Sequence, residues 1–319
     1  MTQAISPSPG TAPGTAPGTA LGTALGAALG AAPGTARETV FETARETGHG
    51  AGLRTAHRNE SDADRLAREV AFFNRHYAQE RAKGIDQLSD FDKLRYTAPS
   101  ANTIFPREYY YHLLAPLKGK DVLEIAAGNG IDAAIMTHNG ANLASYDLST
   151  ESIEMVQQRC KANGTAARLR TQVTGNFLDA FAGERFDRIV GYAALHHLTD
   201  LETLSEQIYD RLRPGGTAVF AEPVLNSRLM ELARRCVPLA IDDMTDDEAP
   251  MTDRDIRAFA RPFDRIERRY FQVTSRVWRL WPSNWPLAVA LHRLDHALLK
   301  VPGVRRLATV EVFALHRDR

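Results

Sequence analysis

Two closely spaced glycines at the end of a short apolar segment constrain the fold of this 319-residue chain more than any other feature. Residues 122–127 are mostly apolar and too few for a typical helix, so they predict a buried strand. Gly128 and Gly130 follow and permit a tight turn beside a ligand. A second strand-like run, 141–146, delivers Asp147 17 residues after Gly130. Because a carboxylate accepts the protons of both ribose hydroxyls, the arrangement predicts a nucleoside-binding corner.

The glycine turn alone does not select one cofactor. Residues 128–133 also fit the dinucleotide pattern G-x-G-x-x-G/A with an acid downstream, which is typical of nicotinamide-dependent oxidoreductases. Such an enzyme usually needs a separate substrate-binding region with its own acid and base residues. The sequence that follows Asp147 is therefore what distinguishes the two cofactor classes.

A series of motifs follows the corner in a fixed order. They are Glu124 with Ala126-Ala127-Gly128-Asn129-Gly130, Asp147-Leu148-Ser149, Gly175-Asn176-Phe177, Phe186-Asp187-Arg188-Ile189, Leu195-His196-His197-Leu198, and Leu212-Arg213-Pro214-Gly215-Gly216 followed by Glu222-Pro223. With these motifs the chain resembles the class I S-adenosylmethionine (SAM) dependent methyltransferases over about residues 105–225. Two positions depart from that pattern, since Ala126 replaces the more usual glycine and Asn176 stands where many relatives have aspartate.

The resemblance implies an α/β fold: a Rossmann-like class I methyltransferase sheet, mostly parallel with an antiparallel last strand, with N-terminal lid helices and a helical insertion before the last strand. The alternation of strand-like and helix-like segments also predicts a layered parallel sheet. The predicted strands are 120–126, 142–147, 169–174, 187–192, 217–222, 266–277 and 309–316, and the predicted helices are 130–139, 150–163 and 201–213. Residues 278–307, which carry all three tryptophans, are expected to form a helical hairpin.

The first sixty residues differ in composition from the rest. Glycine recurs at every fourth position from Gly10 to Gly34, among Thr, Ala, Pro and Leu. Such a segment buries too little apolar surface to fold, and no apolar run in it approaches the roughly 20 residues that cross a bilayer. We therefore expect a disordered low-complexity tail over 1–60 and one methyltransferase domain over 61–319, divided into lid helices 61–117, a cofactor-binding core 118–225 and an acceptor or lid region 226–319.

The resemblance also assigns residues to SAM. Backbone N–H groups of Gly128 and Gly130 are expected near its methionine carboxylate, and the carboxylate of Asp147 at its ribose diol. Leu148 is expected against the adenine ring. The other cofactor-binding candidates are Glu124, which orders the glycine loop or contacts the methionine amine, Ala126 in the turn, and Asn176 with Phe177 at the adenine edge.

Polar residues after the fourth strand are candidates for the chemistry. A base is needed only where the acceptor must lose a proton, because the sulfonium is already activated and catalysis comes from alignment in a dry pocket. His196 and His197 are candidate bases because imidazole titrates near neutrality, and the alternative is a structural role. Tyr192 at the strand end is a further catalytic candidate, and Glu222 is a candidate contact to the acceptor.

Charge and cysteine content argue against several partner classes. Lys and Arg together number 39, as do Asp and Glu, so no net charge favours nucleic acid or an anionic membrane. Cys160 and Cys236 form no metal or disulfide pattern, which is typical of a reducing cytoplasm. We assign no metal ligand, because His292 and His296 lack a third partner at metal-site spacing and the acidic run 242–248 is expected to be a solvated loop.

Together with the resemblance, these residues predict a SAM-dependent methyltransferase that acts on a small organic acceptor. The apolar region 278–307 favours a closed pocket, and the layout is similar to bacterial enzymes of quinone, lipid and natural-product pathways, of which natural-product metabolism is preferred. The alternatives are a quinone or lipid acceptor, an NAD-dependent oxidoreductase, and a noncatalytic SAM-binding module. Docking of the apolar insertion on a second subunit leaves a homodimer open, whereas a membrane partner is disfavoured.

Overall fold

The structure, a computed structural model, describes residues 62–198, 200–236, 249–280 and 285–319. The expectations for residues 1–60 and for the acidic run 242–248 therefore concern residues outside the described part. The strands are β1 (Asp121–Ile125), β2 (Asn142–Asp147), β3 (Leu169–Val173), β4 (Phe186–Tyr192), β5 (Leu212–Pro223), β6 (Arg265–Phe271) and β7 (Val310–Arg317). The helices are α1 (Asp62–Ala82), α2 (Asp90–Thr97), α3 (Pro106–Leu114), α4 (Ile131–His138), α5 (Thr150–Ala162), α6 (Leu201–Arg211), α7 (Arg228–Cys236), α8 (Asp253–Phe259) and α9 (Trp285–Leu298).

The seven strands form one mixed sheet in the order β3-β2-β1-β4-β5-β7-β6. Strands β1 to β5 are mutually parallel, and β7 pairs antiparallel with both β5 and β6. The predicted Rossmann-like sheet with an antiparallel last strand is thereby confirmed. The strand order reverses between β1 and β4, and in parallel sheets the crevice outside the carboxyl ends at such a point is where ligands bind.

Two apolar layers cover the faces of the sheet. One buries side chains of α3, α4 and α5 together with Val122 and Val312, and the other buries side chains of α6 and α8 with Phe220 and Phe313. The inner parallel strands β1 and β2 are largely buried, which explains their mainly apolar sequence, whereas the edge strand β3 is more exposed and more polar. Helix α5 begins where the side chain of Ser149 caps it, accepting from the backbone N–H of Ser152 at 3.1 Å.

The C-terminal region differs from the expectation in two respects. The predicted strand 266–277 ends at Phe271, and a 3-10 turn, Ser275–Leu280, follows. The expected helical hairpin is a single α-helix, α9, in the described part of 278–307. Asp295 of α9 explains the first difference, because its carboxylate accepts backbone N–H groups of the segment after the strand and holds that segment off the sheet edge. The donors are Val273, Thr274 and Ser275.

Candidate active site

Strained backbone marks the crevice between β1 and β4. Ala126 and Ala193 directly follow these two strands, and each has φ at +54°. The left-handed region costs an alanine about 1–2 kcal/mol relative to ordinary backbone, so the surrounding structure has to impose it. The family pattern has glycine where Ala126 lies, and the structure gives the physical reason. Both carboxyl ends therefore turn sharply at the point where a ligand is expected.

The glycine loop is shaped by its packing as well as by a ligand. Gly130 has φ +75°, and a Cβ there would lie 2.7 Å from the Cα of Val156 on α5. Gly128 has φ +55°, and its N–H donates to Asp147, while the N–H of Gly130 donates to the carbonyl of Ala127 at 3.1 Å. Both N–H groups already have an acceptor within the protein. The predicted contact of these groups with a methionine carboxylate stays a prediction.

Asp147 joins the glycine loop to the start of α5. Its Oδ2 accepts the Gly128 N–H at 3.0 Å and its Oδ1 accepts the Ser149 N–H at 2.9 Å. The residue is 6% exposed, and burial raises the pKa of its carboxyl above the ordinary range although these donors oppose the rise. Each carboxylate oxygen retains a second lone pair. The side chain is thus held rigidly at the end of β2 with capacity for two further donors, as a ribose diol requires.

A largely buried arginine, which the sequence did not indicate, lies at the other end of the crevice. The guanidinium carbon of Arg107, on α3, lies 4.5 Å from the ring centroid of Tyr192 at the end of β4. Its ion-pair partner is Asp132, and the 3.6 Å between Nη1 and Oδ1 is longer than an ordinary hydrogen bond. Burial opposes the charge, yet Asp132 and the nearby tyrosines hold the pKa of Arg107 above its ordinary value. A desolvated guanidinium with available donors is suited to a carboxylate.

A histidine and a buried glutamate form a pair at the ends of β4 and β5. The Nδ1 of His196 lies 2.9 Å from Oε2 of Glu222, and the two side chains are 3% and 0% exposed. The other oxygen, Oε1, accepts the backbone N–H groups of Ala194 and Leu195 at 3.0 and 2.9 Å. These three groups hold both oxygens of the glutamate in place. An Nδ1–H that donates to Glu222 leaves Nε2 of His196 as the basic nitrogen.

The other two catalytic candidates are engaged in aromatic contacts. The ring of His197 lies 4.0 Å from that of His196 and 5.6 Å, edge to face, from Phe73 of α1. The ring of Tyr192 meets Tyr110 edge to face at 5.5 Å and carries Arg107 above it. Both residues lie at the crevice, as the sequence predicts, and the aromatic contacts described here are those of residues that line a pocket. Catalytic roles for them stay predictions.

At the expected adenine end of the crevice, Leu148 is placed as the sequence predicts, but Asn176 and Phe177 make other contacts. Leu148 is half-buried, as a wall residue should be. The Oδ1 of Asn176 accepts the N–H of Leu178 at 3.0 Å, so this side chain stabilises its own turn. Phe177 is 6% exposed and packs beneath Arg211, whose guanidinium carbon lies 4.9 Å from its ring. The Phe177 ring therefore belongs to the core, and an adenine contact by this pair stays a prediction.

Glu124 lies in the sheet beneath the loop. It is 4% exposed, and its Oε2 accepts from the hydroxyl of Ser145 at 2.5 Å. Burial raises its pKa to about 8, against the opposing effect of the Ser145 hydrogen bond. The carboxyl is therefore mostly protonated at neutral pH unless a cation, such as an amine of a ligand, approaches it.

Helix α1 covers these carboxyl ends. The Tyr77 hydroxyl lies 3.3 Å from the position of a Cβ on Gly128, and the Oδ1 of Asn74 accepts from the Ser149 hydroxyl at 2.7 Å. Arg81 forms ion pairs with Glu151 and Glu154 of α5. Helix α1, which lies within the expected lid helices 61–117, thus packs over the carboxyl ends of the strands that flank the crevice.

The described residues contain no group of three or more His, Cys, Asp or Glu side chains that could hold a metal ion. None of the helices in the described part of the chain is long and apolar enough to cross a bilayer.

The strand order, with its antiparallel seventh strand, and the acid held against a glycine loop define the class I methyltransferase fold. Residues 73–274, more than half of the chain, match the family model described as a methyltransferase domain. The chain therefore belongs to the class I SAM-dependent methyltransferase family.

Two curated relatives are both named ubiquinone biosynthesis O-methyltransferase. The protein from Paracidovorax citrulli is 29% identical over 120 residues, which cover 38% of this chain and 50% of the relative. That from Actinobacillus pleuropneumoniae serotype 5b is 29% identical over 154 residues, covering 43% and 64%. The chain thus spans between half and two thirds of the length of these relatives. Among solved structures, N-methyltransferase NodS from Bradyrhizobium japonicum WM9, in complex with S-adenosyl-L-homocysteine, has a TM-score of 0.49 at 16% identity, covering 79% of this chain and 99% of that one.

Proposed function

We propose that this protein binds SAM in the crevice between β1 and β4 and transfers its methyl group to a hydroxyl of a small organic acceptor. The observation that carries the proposal is the presence of two polar groups at opposite ends of the crevice. They are the carboxylate of Asp147 and the guanidinium of Arg107. A carboxylate that accepts from a diol and a guanidinium that binds a carboxylate match the two polar ends of SAM. The bound sulfonium supplies an activated methyl group.

His196 is the base in this proposal. With Nδ1–H donated to Glu222, its Nε2 is free to take the proton that an acceptor hydroxyl loses as the oxygen attacks the methyl carbon. Glu222 then stabilises the imidazolium, because its carboxylate is held by the backbone and cannot turn away. Exclusion of water by α1 keeps this proton transfer within the site.

For the acceptor, we propose a small molecule of natural-product metabolism. A quinone precursor is the second candidate, because the curated relatives described above are named for ubiquinone biosynthesis. The proposal includes a homodimer, because the region 278–307 is apolar. It also includes a cytoplasmic location, because the chain has only two cysteines.

The cofactor assignment is tested by isothermal titration calorimetry with SAM, S-adenosyl-L-homocysteine and NAD. Wild type should bind the first two and not NAD, and Asp147→Ala should weaken both by about 10- to 100-fold, because it removes a buried acceptor of charge-assisted hydrogen bonds. Asp179→Ala, an exposed aspartate of the loop after β3, serves as the control and should bind normally. Binding of NAD with no affinity for SAM would support an oxidoreductase and refute the proposal.

The chemistry is tested by transfer of a labelled methyl group from SAM to a panel of phenols, hydroquinones and amines. Methylated phenol or hydroquinone is the expected product, and the rate of its formation should fall by about 100-fold in His196→Ala, which removes the proposed base. Glu222→Gln should lower kcat and leave the KM for SAM nearly unchanged. Tight SAM binding without turnover on any member of the panel would favour the noncatalytic binding module.

A further inference from the structure

A second cavity, of about 430 Å³, lies beside the edge strand β6. Strand β6 is three strands away from β4, which places the cavity roughly 14 Å from the crevice at about 4.8 Å per strand. Its walls come from the loop before α3, from β6, and from the end of α9 with the turn beyond it. Ile104, Phe271 and Leu299 supply apolar surface. The volume suits a small organic molecule.

Arg269 of β6 lines this cavity and lacks a carboxylate partner among the described residues. Its NH1 donates to the Ala101 carbonyl at 2.6 Å, and its NH2 donates to the Thr103 carbonyl at 2.5 Å and to Nδ1 of His296 at 2.7 Å. These bonds use three of the five guanidinium N–H groups, so two remain. Burial lowers the pKa of Arg269, as expected for a half-buried cation without a counter-ion.

Two more cations border the cavity. Lys300 and Arg305 are both exposed and line it, and neither forms an ion pair with the described residues. The Nε of Arg305 donates to the carbonyl of Leu299 at 3.1 Å, which aims the side chain along the wall. Three positive side chains therefore converge on one cavity.

Two acids, Glu267 and Asp295, also line the cavity and offset part of this charge, but neither forms an ion pair with Arg269, Lys300 or Arg305 in the described residues. Glu267 accepts from the Tyr109 hydroxyl at 2.8 Å, and Asp295 accepts from the backbone donors described above. Arg268 forms its ion pairs with Glu311 and Asp253 rather than with these acids. His296 accepts from Arg269, and burial together with Arg269 and Lys300 lowers its pKa, so it is neutral in this arrangement.

We propose that this cavity is a second ligand site that binds a small organic anion, a carboxylate or a phosphate monoester with an apolar body. Arg269 binds the anionic group through its charge and one of its remaining N–H groups, Lys300 and Arg305 attract and enclose it, and Phe271 and Leu299 contact the body. The site is separate from the SAM crevice and does not depend on the function proposed for that crevice.

The test is isothermal titration of the full chain, at low salt, with benzoate and with inorganic phosphate as the probes. Wild type should bind at least one of them, which also distinguishes a carboxylate site from a phosphate site. Arg305→Gln and Lys300→Gln should each weaken binding by about tenfold, the loss of one charge-assisted contact. Arg306→Gln is the matched control, since this neighbouring exposed arginine does not line the cavity.

Three outcomes overturn the proposal. Wild type shows no binding of either probe up to about 10 mM, an affinity too weak for a dedicated site. Arg306→Gln weakens binding as much as Arg305→Gln, which indicates nonspecific attraction. Arg107→Gln abolishes binding while Arg305→Gln does not, which places the anion in the SAM crevice.

Discussion

Substitution of Glu124 by glutamine should make the protein more stable at neutral and alkaline pH. Burial raises the pKa of this carboxyl from an ordinary value of 4.5 to about 8. Between these values the folded state holds a proton that the unfolded state has released. The stabilising contribution of the protonated form is therefore fully present below pH 4.5 and is lost as pH rises through 8.

The size of this effect follows from the two pKa values. Each pH unit between the two pKa values costs about 1.4 kcal/mol. Through this one group the free energy of unfolding of wild type is therefore lower by about 3 kcal/mol at pH 7 and by about 4 kcal/mol at pH 8 than below pH 4.5. That loss is a large fraction of the 5–15 kcal/mol typical of a folded domain. Glutamine is neutral at every pH and retains an oxygen that accepts from Ser145, so it should avoid the loss.

The measurement is urea-induced unfolding, followed by circular dichroism at pH 5, 6, 7 and 8 in the absence of SAM. The free energy of unfolding of Glu124→Gln minus that of wild type should increase by about 3.5 kcal/mol between pH 5 and pH 8. Glu206→Gln, an exposed residue on α6, is the control and should keep the wild-type pH dependence. A difference between Glu124→Gln and wild type that is constant with pH would show that this carboxyl is ionised in the folded protein.

Three further substitutions test the crevice. Ala126→Gly should raise the free energy of unfolding by roughly 0.5–1 kcal/mol in urea titrations, because glycine removes the strain at φ +54°; a destabilised variant would refute the strain. Gly130→Ala should lower it by about 3 kcal/mol in the same assay, because the added Cβ meets the backbone of Val156, and an unchanged midpoint would contradict the packing described. Arg107→Gln should weaken the binding of S-adenosyl-L-homocysteine by about 10- to 100-fold in calorimetry. An affinity equal to that of wild type would show that Arg107 is not part of the cofactor site.

The sequence predicts the sheet well because each buried strand is an apolar run bounded by a glycine turn or a capped helix. The end of β6 is missed because the acceptor that ends it, Asp295, comes more than twenty residues later in the chain. Arg107 is missed for a similar reason. One arginine among 39 basic residues carries no local signal, and its role depends on Tyr192 and Asp132, which the fold brings to it.

The motif residues themselves divide into two groups. Asp147 and Gly130 are constrained by backbone contacts that a short pattern encodes, so their places could be predicted. Phe177 matches its motif equally well, yet its ring packs under Arg211 of a helix that follows later in the chain. Similarly, the pairing of His196 with Glu222 joins two strand ends that only the sheet order makes adjacent.

The position of α1 has a kinetic consequence. Tyr77 and Asn74 lie against the glycine loop and the start of α5, and the Arg81 ion pairs fasten the far end of the helix. These contacts predict that SAM enters, and S-adenosyl-L-homocysteine leaves, when this helix moves away from the glycine loop. The slow step of a catalytic cycle would then be the movement of α1 away from the crevice. Loss of the Arg81 ion pairs would speed the exchange of product for SAM but would also admit water to the reaction.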